Sequence, residues 1–349
     1  MTLDKLLENL NEFSNIDSVV GFEDNFREYL ENKFKEASYE TEITQEGLLI
    51  VKSLDEEHRN HYTCSHIDRI GLVVDDGKLT YAVHNLKDKL GLKAKPTEKT
   101  CKKIGDKFVG KQVKIDGEEY SVSDYNISSN ENDSNRLEFI LKEDVDLSSL
   151  NQNSVPYVES ISYDKKKITG QLDNVINAAL LYTMMIEGEV KGNVIFSIRE
   201  EIGLSGTLIT SYLARQGIES TEDLLILDTT PFSETDYIID EISLRNRDSR
   251  DFYSQSKVKI LEPICQELNI PYRFKDKILE EKGAIKVKDD GSVFGYGLTE
   301  LGKIVQDSNG KYNGATLQIP NLGDGIEEKI SFESLNNYIT LLKEYYGRI

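Results

Sequence analysis

The sequence predicts an α/β fold: a mostly parallel sheet flanked by helices, interrupted by a β-rich insertion. Three observations carry that expectation. From Asp173 onward, apolar strand-like runs alternate with helix-like stretches, the rhythm of a parallel sheet covered on both faces. From Gly71 to about residue 164 the texture changes to short strand-like pieces separated by polar turns. The opening segment again mixes helix and strand patterns, so the α/β unit is split by the insertion. The expected division is 1–71 with 165–349 as one domain and 72–164 as a second, small one.

Taken in order, "TLDKLLENLNEFSNI" and "EDNFREYLENKFKEA" repeat leucines and aromatics at helical spacing. "DSVVGFE" separates them with a Gly-containing break. "GLLIVKS" and "HYTCSHID" read as strands on either side of a charged turn. Inside the insertion, "LVVDDGKLTYAV", "FVGKQVKIDGEEYSVSDYNI", "NRLEFILKEDV" and "KITGQL" read as strands, with no extended helical pattern. The acid- and Asn-rich "DYNISSNENDSN" suits a long hairpin tip. After it come a helix "NVINAALLYTMMIEG", a strand "NVIFSI", a helix "GTLITSYLARQG", a strand "DLLILD" and a helix "YSQSKVKILEPICQELN". "DSNGKYNG" reads as a hairpin-type turn, and "FESLNNYITLLKEYY" is the closing helix.

Composition narrows the classes of function. A net charge of -20 over 349 residues, with pI near 4.8, leaves no general positive field to attract nucleic-acid phosphates. No apolar run approaches membrane-spanning length. The start, "MTLDKLLENLNEF", carries acids where a secretory signal would be basic. Three scattered cysteines, Cys64, Cys101 and Cys265, form neither a disulfide framework nor a thiolate zinc cluster. The expected compartment is the reducing cytoplasm.

Chemistry-bearing residues collect at the ends of the expected core strands. His66 and Asp68 end "YTCSHID", Asp173 precedes a helix in "GQLDN", Glu200 and Glu201 follow "NVIFSI", and Asp228 ends "LLILD". In open parallel sheets the crevice beyond the strand C-termini is where ligands bind. One imidazole and several carboxylates gathered there would suit Zn²⁺, Co²⁺ or Mn²⁺. Singly, each has a plainer explanation: Asp173 as a helix cap, Asp228 as a turn former, the Glu pair as a solvated loop.

The order and spacing of the set resemble the bacterial and archaeal glutamyl- and deblocking-aminopeptidase family, the tetrahedral co-catalytic metallo-aminopeptidases. "SHIDRIGLVV" looks like that family's H-x-D-x-x-G motif, "GQLDNVINAALL" its D-N-x-x-x-x-A element, "IREEIGLSG" its Glu-Glu-x-Gly element and "LLILDTTP" its Asp-ended strand. "GLTELGKI" resembles a Gly-Thr-Asp-Ala stretch with Glu300 in the aspartate's place. The resemblance implies a zinc-peptidase-like sheet with a small β-barrel-like insertion that mediates oligomerisation. It implies that His66 and Asp228 bind one metal, Asp173 bridges two, and Glu201 binds the second. Glu200 would be the general base, and Asp68 would accept the ring N–H of His66. The cofactor would be Zn or Co, with Mn as the alternative, and the partners short peptides and further copies of the chain, with no nucleic acid and no membrane.

One motif departs from the family. Its last ligand is a histidine just after the final "IP" strand, but the four histidines here are His58, His61, His66 and His84, and "IPNLGDGIEEK" has Gly325 or a neighbour at that place. Asp324 is the expected oxygen substitute, ahead of Glu327 and Glu328; a one-metal hydrolase and a silent binding or assembly module are the alternatives. Another binuclear amidohydrolase, a deacylase or dipeptidase, is the rival chemistry. The cluster "LRNRDSRDF", with Arg245, Arg247 and Arg250, would suit orientation of a substrate carboxylate. His84 is expected to be a hairpin or exposed residue, with a helper role from a neighbouring subunit as the alternative. His58 and His61 receive no role.

Overall fold

The computed structural model describes residues 3–92, 96–129, 135–150, 153–157, 161–289, 291–323 and 325–349. Two helices open the chain, Leu3–Ser14 (α1) and Asp24–Glu36 (α2), followed by strands Thr41–Ile43 (β1), Leu49–Val51 (β2) and Tyr62–His66 (β3). The next segment contributes Leu72–Asp75 (β4), Lys78–Tyr81 (β5), Ala82–Lys89 (α3), Glu98–Phe108 (α4), Gln112–Ile115 (β6), Glu118–Ser129 (β7), Asn135–Leu141 (β8) and Ser154–Val155 (β9). Then come Ser162–Tyr163 (β10), Lys167–Gly170 (β11), Val175–Ile186 (α5), Asn193–Ser197 (β12), Ser205–Arg215 (α6) and Thr221–Pro231 (β13). The remainder is Ile242–Leu244 (β14), Gln255–Glu267 (α7), Tyr272–Phe274 (β15), Lys275–Glu281 (α8), Lys286–Val287 (β16), Val293–Phe294 (β17), Glu300–Asp307 (α9), Tyr312–Gly323 (β18), Glu328–Ser331 (β19) and Phe332–Arg348 (α10).

The large sheet runs β1-β2-β12-β3-β13-β18-β19-β11-β10, with β14 and β15 branching from β18. It is parallel at its centre, where β12, β3, β13 and β18 lie side by side, and antiparallel at both margins. The mostly parallel expectation therefore holds for the central strands, which are buried as such strands must be. Helix α5 packs beneath this centre and is apolar all round; ten of its residues are buried, which fits a helix without a solvent face. Phe13, Phe26, Phe34 and Phe196 join it in one core.

The second sheet has the order β6-β7-β8-β5-β4-β9. Its edges meet: Val113 bridges Tyr157, and the Lys114 N–H donates to Pro156 O at 2.9 Å. The six strands thus close into a small barrel with its own core of Leu72, Val74, Val113, Leu137 and Phe139. Closure removes the exposed edges that a short sheet would otherwise present.

Two expectations fail here. The segment contains helices α3 and α4, not strands and turns alone. "YAVHNLKD" turns helical immediately after β5, and α4 buries Cys101, Gly105 and Phe108 along one face, with Thr97 capping its N-terminus by accepting from Thr100 N. The stretch 307–314 is no hairpin: Asn309 and Gly310, at φ 51° and 79°, end α9 and deliver the chain into β18. The hairpin between β7 and β8 exists, but tip residues 130–134 lie outside the described residues.

Candidate metal centre

Register brings the functional side chains to one edge. His66 on β3 pairs with Ser197 on β12, and Cys64 with Ile226 on β13. His66 and Asp228, each two residues further along, therefore sit level, with Glu200 and Glu201 just past the end of β12. Asn174 ties Asp173 to the same edge: its side-chain amide donates to Ser65 Oγ at 3.0 Å and Leu227 O at 2.8 Å.

His66, Asp173 and Asp228 are brought together: each offers one ligand atom, and these atoms lie within 4.8 Å of one another, the one such group among the described residues. His66 Nε2 is 3.2 Å from Asp173 Oδ1 and 3.7 Å from Asp228 Oδ1. The ring's Nδ1 lies 3.1 Å from Asp68 O, so a proton there leaves the Nε2 lone pair facing the carboxylates. Burial alone would lower the His66 pKa, yet the close carboxylates of Asp173, Asp228 and Asp68 hold it well above the ordinary value. Asp173 Oδ1 is buried and receives no hydrogen bond of good geometry. A buried anionic oxygen without a well-aligned hydrogen bond is costly unless a cation meets it. One imidazole nitrogen and two carboxylate oxygens fit a divalent ion.

Asp68 departs from expectation. Its carboxylate is 3.6 Å from His66 Nδ1, beyond a good hydrogen bond, and accepts instead from Glu200 N and Glu201 N at 3.0 Å each. It is the backbone carbonyl of Asp68 that meets the ring. The carboxylate therefore fixes the turn carrying the two glutamates, which enters with Arg199 at φ 63° and leaves through Gly203 at φ 79°. Burial is the main reason both glutamates are hard to ionise, with the nearby carboxylates adding to it: Glu200 is pushed up to about 8, and Glu201 well above the usual range.

Glu200 and Glu201 line a cavity of about 310 Å³ together with Lys87, Arg250, Leu298 and Lys303. Of the three arginines, only Arg250 reaches it. Arg245 is buried, donating to Gln318 Oε1 at 2.6 Å and Tyr296 O at 2.6 Å, and Arg247 stacks on Phe252 and Tyr296. Glu300 lies on the same cavity, accepting from Ser197 Oγ while its Oε2 is buried and unpartnered. His84 is half-buried on helix α3 and lines a different cavity, its ring edge-on to Tyr81; burial takes its pKa down to about 4. His61 approaches Asp223 and His58 approaches Asp55, both away from the cluster.

Asp324 lies outside the described residues. Its neighbour Gly325 has φ +89°, and a Cβ there would come within 3.0 Å of Ile70 Cδ1. A histidine side chain does not fit that backbone without rearrangement. Glu328 is no substitute ligand. Oε2 accepts from Leu172 N and Asp173 N at 2.8 and 2.7 Å, and Oε1 from Asn321 Nδ2 at 2.7 Å. It holds the backbone of Asp173 in place.

Sequence reading missed Gln318, whose amide donates to Asp228 Oδ2 at 3.1 Å and is oriented by buried Arg245. It missed Lys87 as well. Gln318 carried no local signal, because it meets Asp228 only through the β13–β18 register. Lys87 stands one helical turn after His84, and recognising α3 as a helix would have brought both into view.

No family model matches the sequence, and no curated protein does. Solved structures do match in fold. A TET aminopeptidase from a marine-sediment Thaumarchaeota archaeon superposes with TM-score 0.69 at 14% identity, covering 99% of this chain and 97% of that one. Aminopeptidase APDkam598 from Desulfurococcus kamchatkensis gives TM-score 0.69 at 14% identity, covering 99% and 95%. The Pyrococcus horikoshii TET1 peptidase, described as assembling into a tetrahedron or a large octahedral shell, gives TM-score 0.66 at 18% identity, covering 97% and 98%. The chain is similar to these aminopeptidases in fold over almost its whole length.

Proposed function

We propose that this chain is a metal-dependent aminopeptidase of the glutamyl- and deblocking-aminopeptidase type, removing N-terminal residues from short peptides. The observation that carries the proposal is the convergence of His66, Asp173 and Asp228 at the sheet's C-terminal edge, beside Glu200. The likeness in fold to TET aminopeptidases supports it. His66, Asp173 and Asp228 would hold a zinc or cobalt ion. Such an ion polarises a peptide carbonyl and lowers the pKa of a bound water.

The chain's own residues supply the rest. Asp68 and the Arg199–Gly203 turn aim Glu200 into the cleft, where its carboxylate takes the proton of the attacking water and returns it to the leaving amine. Cationic charge in the cluster would bring the Glu200 carboxyl below the value that burial imposes, into the range where it accepts a proton at neutral pH. Asp68 is a positioning residue.

In this reading, 1–71 and 165–349 form the catalytic unit and 72–164 mediates assembly of further copies; the dodecamer and shells described for TET1 peptidases support assembly itself. Free, buried cysteines suit a cytoplasmic setting. Among the described residues no helix is long and apolar enough to cross a membrane.

The test is a substrate panel: aminoacyl-p-nitroanilides against N-acetyl amino acids, with Zn²⁺ or Co²⁺ and with chelator. Cleavage of the free-amino substrates, abolished by chelator and lowered ~10²–10⁴-fold in kcat by Glu200→Gln, is expected. Cleavage of N-acetyl substrates alone would make the chain a deacylase, and indifference to chelator would contradict the proposal.

A further inference from the structure

The two ligand sets expected around Asp173 are not equally complete. On the Asp228 side, His66 supplies a neutral nitrogen donor and three ligand atoms converge. On the Glu201 side no imidazole lines the cavity among the described residues: His84 lines a different one, and His58 and His61 lie against Asp55 and Asp223. The φ of +89° at Gly325 is strained for any side chain, and Glu328 has both oxygens engaged. Among the described residues, a second ion would be left with Asp173 and Glu201 as protein donors, fewer than the three that catalytic zinc sites keep.

A cation of another kind is already there. Lys87, on the last turn of α3, lines the same cavity as Glu200 and Glu201. Among the described residues its ammonium makes neither an ion pair nor a hydrogen bond, and the charges that act on it most are those of Glu201, Glu200 and Arg250. Burial draws its pKa below the ordinary lysine value, and the two glutamates pull it back up. An ammonium is a compact point charge on a flexible stem, able to meet a carboxylate without the fixed geometry a metal demands. Across the shared cavity, beyond ion-pair distance, opposite charges still offset part of each other's desolvation.

We infer that the chain holds a single metal ion, on His66, Asp173 and Asp228, and that the Lys87 ammonium balances Glu201 where a second ion would otherwise do so. The inference rests on the metal-dependent reading above and decides the number of ions. It also gives the barrel a part in the site, because α3 follows directly from β5 and carries Lys87 to the cleft.

Metal counting tests it without reference to activity. The metal-free full chain is titrated with Zn²⁺ by calorimetry, using Asp173→Ala as the blank for ions bound elsewhere on this acidic surface. One equivalent above the blank is expected for the native chain, and one again for Glu201→Gln. Two equivalents, one of them lost in Glu201→Gln or in Asp324→Ala, would overturn the inference while leaving the metallopeptidase reading intact. No equivalent above the blank would overturn both.

The lysine is tested by a thermodynamic cycle on the zinc-treated chain. Lys87→Met should lower the melting midpoint by about 1–3 °C in the native background and by clearly less in Glu201→Gln, where Glu200 alone remains. Lys87→Arg should restore most of the loss. Equal effects of Lys87→Met in both backgrounds would show that the ammonium does not act on Glu201.

Discussion

Around Asp173 the cluster divides into two halves of similar charge and different construction. The His66 half has a support for each residue: Asp68 O meets the ring, Gln318 meets Asp228, and Glu328 holds the Asp173 backbone. The Glu201 half has a turn fixed from behind by Asp68, yet no nitrogen donor and no comparable set of partners for the carboxylates themselves. Carboxylates alone suit hard ions better than zinc. What distinguishes the complete half is an imidazole whose tautomer is set by its other nitrogen, and ligands whose orientations are fixed by neighbours.

Breaking the complete half should have the largest effect. His66→Ala is expected to remove the zinc equivalent and reduce hydrolysis to background, measured by calorimetry and by aminoacyl-p-nitroanilide cleavage. Retained stoichiometric binding in that variant would place the ion elsewhere.

Glu200→Gln should separate the halves by function, with the ion retained and kcat lower by ~10²–10⁴-fold. Loss of the ion as well would make Glu200 a ligand and not a base.

Gln318→Leu should act less strongly. It removes the amide that donates to Asp228 and one acceptor of buried Arg245, which keeps Tyr296 O. Zinc affinity is expected to fall ~10–100-fold, read by competition with a chromogenic chelator. An unchanged affinity would mean the β13–β18 contact is structural only.

These contacts also mark what could be read from the chain. The strand ends were legible because each is an apolar run stopped by a charged or Gly-containing turn, as in "NVIFSIREEIG" and "YTCSHID". Parallel register then carried His66, Glu200 and Asp228 to one edge. Asp68 was legible as a residue of the site but not in its bonding, because its partners are backbone N–H groups 132 and 133 positions away. Gln318 and Glu328 depend on strand pairings that leave no periodic trace. The barrel's helices were hidden differently. α3 continues a strand without a break, and α4, "EKTCKKIGDKF", is so rich in lysine that its single apolar face reads as a polar turn. Its signal was the Thr97 cap and the spacing of Cys101, Ile104 and Phe108.

The smallest expected effect concerns pH. Glu200, at about 8, and Glu23, at about 7, are both raised from an ordinary 4.5, chiefly by burial. Between pH 4.5 and about 8 the metal-free native state therefore holds protons that the unfolded chain releases. Their contribution to stability is full at the acidic end and is lost as pH rises through that window. Melting midpoints in chelator should fall across it, with a shallower slope in Glu200→Gln and in excess zinc. Midpoints rising with pH in chelator would contradict the burial of these carboxyls.

The central claim, that this strand edge is a metal site, is tested most directly by anomalous diffraction at the zinc edge from a zinc-soaked crystal. The account predicts one strong peak per chain, bonded to His66 Nε2, Asp173 and Asp228 at ~2.0–2.2 Å, with Lys87 beside Glu201. A peak that avoids His66, or none at this edge, would contradict it.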